Sequence, residues 1–149
     1  MFKIMKFNDF FKEHKPEYTV FVYPNSKPVC LRSGFIRTQY LEGCASVAVL
    51  NGEDRIGAVS HLESIWVNDY LDEFKNLTLR FPELLNAQDL ALLWNELNPF
   101  NRYNPNGDVY KLCSGLQNVF KKAELTDIPY KGCLDGYGLY VDAGILVLP

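Results

Sequence analysis

Two short apolar stretches separated by a turn constrain this chain more than anything else in it. Residues 44–50 (CASVAVL) are apolar and rich in β-branched side chains, Asn51-Gly52-Glu53-Asp54 has turn chemistry, and residues 55–61 (RIGAVSH) resume a strand-like pattern. The segment therefore reads as a β-hairpin with 51–54 as its loop and Leu50 paired with Arg55. Cys44 stands six residues before Leu50 and His61 six after Arg55, so this register sets a thiol and an imidazole directly opposite each other. Opposed residues of an antiparallel pair have Cβ atoms about 4.5–5.5 Å apart. A tighter Asn51-Gly52 turn would move the register by two and leave the pair diagonal on the same face.

The two faces of the hairpin differ in character. Val47, Val49, Ile56 and Ala58 share one face and read as core. The other carries Cys44, Ser46, Ala48, Gly57, Val59 and His61, mostly small residues that leave room above the thiol. At an unperturbed pKa only about 3 % of a thiol is thiolate at neutral pH. A neighbouring histidine raises that fraction by taking the proton and stabilising the ion pair.

The chain of 149 residues, 48% of them hydrophobic, is long enough to form one domain with its own core. Its net charge of -3 and pI near 5.4 argue against a nucleic-acid or anionic-membrane surface. No apolar run approaches the ~20 residues of a membrane span, and Met1-Phe2-Lys3-Ile4-Met5-Lys6 lacks a signal-peptide core. The expectation is a monomer with no membrane partner, cytoplasmic or secreted without a cleavable signal. Cys30, Cys44, Cys113 and Cys133 are widely spaced, with no CxxC pair and only two histidines in the chain, so free thiols and no metal or other cofactor are expected.

Elsewhere, Asn8 is placed to cap a short helix ending near His14, and residues 17–23, 29–31 and 35–40 read as strands. A helix fits 68–77, with Val67, Leu71, Phe74 and Leu77 on one side. Residues 87–97 are open between strand and helix, because short apolar runs do not decide period. Ser114 and Gln117 form a capping-box pattern before the stripe Leu116, Val119, Phe120 and Ala123, and residues 98–107 read as a surface loop. Strands at 128–131, 138–141 and 145–148 close the chain. The fold class expected is mixed α/β (α+β): largely antiparallel sheets, sandwich-like, covered by two or three helices.

Leu41-Glu42-Gly43-Cys44, then a short apolar strand, a turn, a second strand with Gly57, and His61 resemble the chemoreceptor glutamine deamidases of the CheD family. Thr38, Cys44 and His61, separated by six and seventeen residues, match the order and spacing of that family's catalytic trio. The Gly-Cys element is also similar to the deamidase domains of cytotoxic necrotizing factor and related bacterial lethal factors. The resemblance continues through Asp135-Gly136-Tyr137-Gly138 and Asp142-Ala143-Gly144-Ile145-Leu146-Val147 toward the C-terminus. The chain differs from the family at Glu42-Gly43, at Ser60-His61-Leu62-Glu63 and at Trp94-Asn95, where a Gly-Gly pair is usual.

The resemblance implies a protein glutamine deamidase with a CheD/CNF-like fold, acting on a target protein that bears a surface glutamine. Cys44 would attack the carboxamide, His61 would shuttle the proton, and Thr38 would orient the imidazole. The Cys44 N–H would serve as an oxyanion donor and Gly43 would admit the substrate. The alternative is a non-catalytic binding module on the same fold. Trp66, Tyr103 and Tyr137 are candidates for lining a groove, or for plain packing, and His14 for a solvated face.

Overall fold

The computed structural model describes residues 2–24, 26–42, 45–62, 67–97 and 106–149. Among them, twelve strands and three α-helices follow in the order β1 (Lys3–Lys6), α1 (Phe7–Glu13), β2 (Thr19–Val22), β3 (Val29–Leu31), β4 (Phe35–Thr38), β5 (Leu41–Glu42), β6 (Ala45–Asn51), β7 (Ile56–Leu62), α2 (Val67–Arg80), β8 (Asp89–Asn95), α3 (Asp108–Val119), β9 (Glu124–Tyr130), β10 (Cys133–Leu134), β11 (Gly138–Tyr140) and β12 (Ile145–Leu148). One five-stranded sheet runs β1-β12-β11-β4-β2 and the other β3-β7-β6-β8-β9, with β5 and β10 forming a separate short ladder. The mixed, largely antiparallel α+β sandwich expected from the sequence is therefore what forms. Its parallel pairs are β1 with β12, β2 with β4, and β8 with β9.

The layers follow from strand alternation. Val47, Val49, Ile56, Ala58, Leu90 and Leu92 point to one side of the second sheet, where Phe74 and Leu77 of α2 and Leu112 and Leu116 of α3 cover them. Ala48, Leu50, Val59, Ala91 and Leu93 point to the other side and meet Ile36, Leu139 and Leu146 of the first sheet. Phe10 of α1 closes the outside of the first sheet over Phe35, Ile145 and Val147. The two hairpin faces thus separate as the sequence implied. At Gly57, however, the space is filled. A Cβ on Gly57 would come within 2.8 Å of Leu139 and 3.2 Å of Val141, so the missing side chain is the room into which the first sheet packs.

The hairpin register differs from the expected one. Asn51 pairs with Ile56, the loop is 52–55, and Ser46 rather than Cys44 stands opposite His61. The cause is the Asn51 side chain, which stays at the strand end and closes the loop. Its Oδ1 accepts the Asp54 N–H at 3.2 Å, its Nδ2 donates to Asp54 Oδ2 at 3.0 Å, and Arg55 takes the left-handed φ of 50° that returns the chain. Asn51 also donates to the Glu83 carbonyl at 2.7 Å and accepts from Gln88 at 3.1 Å, which ties the loop to the segment before β8.

Three further differences have physical causes. The third helix starts at Asp108, not Ser114, because the stripe Val109, Leu112, Cys113, Leu116 already has helical spacing and Asp108 favours a helix N-terminus. The apolar run at 89–95 is a strand, buried on both faces between β6 and β9. Helix α1 begins at Phe7, so Asn8 lies inside its first turn and does not cap it. As a test of the sheet spacing, Gly57→Ala is expected to cost about 1–3 kcal/mol through overpacking, seen as a fall of several degrees in Tm with the fold retained.

Candidate functional site

Four polar side chains meet between the sheets, in a layer otherwise lined by aliphatic residues. Thr38 ends β4, Ser46 is the second residue of β6, His61 the sixth of β7, and Tyr137 immediately precedes β11. Exposure is 2% for Thr38, 0% for Ser46 and Tyr137, and 1% for His61. Buried polar groups are costly unless they bond one another.

Ser46 and His61 are brought together by the β6–β7 ladder, which pairs them directly on the face turned to the first sheet. Thr38 and Tyr137 are brought together by Gly136. Its φ of +96° and the 2.8 Å that would separate its Cβ from the Thr38 carbonyl make this a position for glycine alone. The tight turn lets Tyr137 N donate to Thr38 Oγ1 at 3.1 Å while Thr38 N donates to the Tyr137 carbonyl at 2.8 Å. The Tyr137 hydroxyl then crosses the layer to within 2.6 Å of Ser46 Oγ. Ser46 Oγ in turn donates a short hydrogen bond to the Ser60 carbonyl. Tyr137 therefore fastens one sheet to the other, through its peptide on one side and its hydroxyl on the other.

Of the residues singled out in the sequence, the structure brings Thr38 and His61 into one layer. It bonds the Thr38 hydroxyl to the Tyr137 peptide. Gly43 and Cys44 lie outside the described residues, as do Glu63, Trp66 and Tyr103. Tyr137 lines no groove, being wholly enclosed, and His14 packs its ring on Phe10 with centroids 5.2 Å apart. What sequence reasoning missed is the bond between Ser46 and Tyr137 across the sheets. Their signals were a hydroxyl on the same hairpin face as His61, and an aromatic flanked by two glycines.

Electrostatics distinguish the thiols. Burial pushes Cys30 up to about 11, leaving it a poor nucleophile near neutrality. Cys113 is buried with its sulfur 3.8 Å from Gln117 Oε1, while Cys133 is exposed beside Glu42 on the β5–β10 ladder. There Tyr40 is raised to about 12, first by its hydrogen bond with Cys133 and then by burial. No His, Cys, Asp or Glu cluster able to hold a metal occurs among the described residues. No helix among them is long and apolar enough to cross a membrane, which says nothing of a β-barrel. A groove of about 490 Å³ lined by Lys75, Lys121 and Lys122 lies between α2 and α3, on the far side of the second sheet from His61.

Tyr137 supplies a test of the cross-sheet bond. Burial raises its phenol above the ordinary 10.0, so the unfolded state loses this proton first as pH rises. Stability from this group is complete below about pH 10 and falls above it. Tyr137→Phe is expected to cost about 1–2 kcal/mol at neutral pH by leaving Ser46 short of a donor, and to flatten the alkaline decline of Tm. An equally steep decline in the variant would exclude Tyr137 as its source. No protein-family model matches the chain, and no curated protein matches it.

Proposed function

We propose that this chain is a cysteine-dependent protein glutamine deamidase with Cys44 as nucleophile and His61 as base. The observation that carries the reading is the register of the β6–β7 hairpin. It turns His61 into a polar layer, opposite Ser46, and Cys44 follows two residues upstream of Ser46 in the chain. The order and spacing of Thr38, Cys44 and His61 that resemble the CheD-type trio support the same roles.

In this reading the Cys44 thiol gives its proton to His61, and the thiolate attacks the carboxamide carbon of a glutamine on the target protein. Collapse of the tetrahedral intermediate breaks the C–N bond, with His61 returning the proton so that ammonia leaves. Water, deprotonated by His61, then cleaves the thioester to give glutamate and restore the thiol. The Cys44 N–H stabilises the oxyanion, and Gly43 leaves space for the substrate. Thr38 serves by holding Tyr137 in place. The target is a protein of the same cell, or of a host if the chain is exported.

A second reading, a binding module without turnover, is favoured by one observation: Thr38, Ser46, the Ser60 carbonyl and Tyr137 bond one another as a cross-sheet fastening. Iodoacetamide alkylation separates the two. Cys133 is exposed, so the comparison is made in a Cys133→Ser background. The deamidase reading expects Cys44 to react faster than Cys30 and Cys113, and His61→Ala to slow it by up to about thirtyfold, the span between a full thiolate and about 3 %. It also expects Cys44→Ser to keep the wild-type Tm while abolishing ammonia release and the glutamine-to-glutamate mass change in a target captured by Cys44→Ala. A Cys44 no more reactive than a free thiol, with or without His61, would leave the binding module.

A further inference from the structure

Charge on the helix side of the second sheet runs against the overall balance. The chain carries 18 acidic and 15 basic residues, yet Lys75, Lys121 and Lys122 line the groove between α2 and α3 and no Asp or Glu does. None of the three lysines is in an ion pair among the described residues. Glu83, in the 3-10 turn Pro82–Asn86 that supplies a third wall, is engaged instead by Arg32 at 3.2 Å. Like charges gathered without a carboxylate gain from an anionic group placed among them. One lysine is already set in position, because Lys122 Nζ donates to Asn86 Oδ1 at 2.6 Å and so bridges the segment after α3 to the 3-10 turn. Less side-chain freedom is then lost when a ligand arrives. The lining also includes Leu85, 47% exposed, and the half-buried Val119.

We propose that this groove docks an acidic segment of a partner protein, with carboxylate side chains meeting Lys75, Lys121 and Lys122 and an apolar side chain resting on Leu85 and Val119. The helix ends decide against a compact anion such as phosphate. Lys75 lies in the last two turns of α2 and Val119 is the last residue of α3, so the backbone groups left over here are carbonyls rather than N–H groups. Phosphate sites draw on N–H groups at helix N-termini. Carboxylates spaced along a peptide need no such cradle, because each meets one ammonium on a flexible stem. The net charge of -3 acts against nucleic acid, whose charge extends well beyond one groove. Apolar surface supplies what charge alone lacks: Leu79, 78% exposed, follows Lys75 by one turn and adds a second exposed leucine beside the groove's own. The groove and His61 lie on opposite sides of the second sheet, so docking here is independent of the deamidase reading and leaves the polar layer uncovered.

The probe is a short fluorescent peptide with glutamates spaced around a leucine, its anisotropy followed as the full chain is titrated in. Binding is expected at low salt, weaker as rising salt screens the exposed charges, and lost when glutamines replace the glutamates. Lys75→Gln, Lys121→Gln and Lys122→Gln are each expected to weaken it by about two- to fivefold, and the triple variant by about tenfold or more, with Tm close to wild type. Lys3→Gln, on an edge strand of the other sheet, is expected to leave it unchanged. Leu85→Ala is expected to weaken binding without altering its salt dependence. A triple variant that binds like wild type overturns the proposal, and so does equal binding of the glutamine peptide. Tripolyphosphate or a DNA duplex that displaces the peptide at a lower concentration than the unlabelled peptide does overturns it in favour of a general anion or nucleic-acid surface. Should the triple variant fail to fold, backbone amide shifts of the wild-type chain decide: peptide-induced changes centred on Asn86 and Val119 support the groove, and changes centred elsewhere overturn it.

Discussion

The amide of Asn51 decides where the rest of the second sheet falls. By holding Asp54 on one side and the Glu83 carbonyl and Gln88 on the other, it makes Asn51 the last paired residue of β6 and Ile56 the first of β7. Side chains in a strand alternate with a period of two, so this choice sets the inward side of every residue that follows. A slip of one would put His61 and Ser46 on opposite faces, one of them on the helix side with Phe74 and Leu112. A slip of two would keep His61 facing the first sheet but give it another partner. The local chemistry of one turn thus selects the neighbour of an imidazole five pairs away.

Close approach of the two sheets is the second requirement, and the small residues provide it. Gly57 and Ala48 let Leu139 and Val141 come down onto β6 and β7, which brings the Tyr137 hydroxyl within reach of Ser46. A polar group in such a layer costs more than an apolar one unless each donor and acceptor is used. The hydroxyls of Tyr137 and Ser46 are used in one direction only, ending on the Ser60 carbonyl. The packing that excludes water also makes the hydrogen bonds directional.

The sequence was most legible where periodicity and turn chemistry agreed. Val29–Leu31 and Ile145–Leu148 fall at the expected residues, and the assignment of Val47, Val49, Ile56 and Ala58 to one face holds. It was least legible where one residue does two jobs. Asn51 reads as a turn residue by composition and is one by its side chain, yet its backbone remains in the strand. Ser114 looks like a cap, but the helix around it is already under way from Asp108. Partners contributed from distant parts of the chain were invisible: Ser46 and Tyr137 lie 91 residues apart, and no local pattern announces that one hydroxyl will meet the other. The strand Lys3–Lys6 was missed for a related reason, since it is held by parallel pairing with β12 at the other end of the chain.

The depth of His61 bears on which reaction a cysteine beside it would perform. At 1% exposure the imidazole is reached by no extended polypeptide laid along the surface, whereas peptide-bond cleavage needs a base alongside a bound backbone. A glutamine carboxamide, by contrast, stands at the end of two methylenes and can be presented with its own backbone left outside. Under the deamidase proposal, the burial of His61 therefore favours a side-chain amide over a peptide bond as the group attacked.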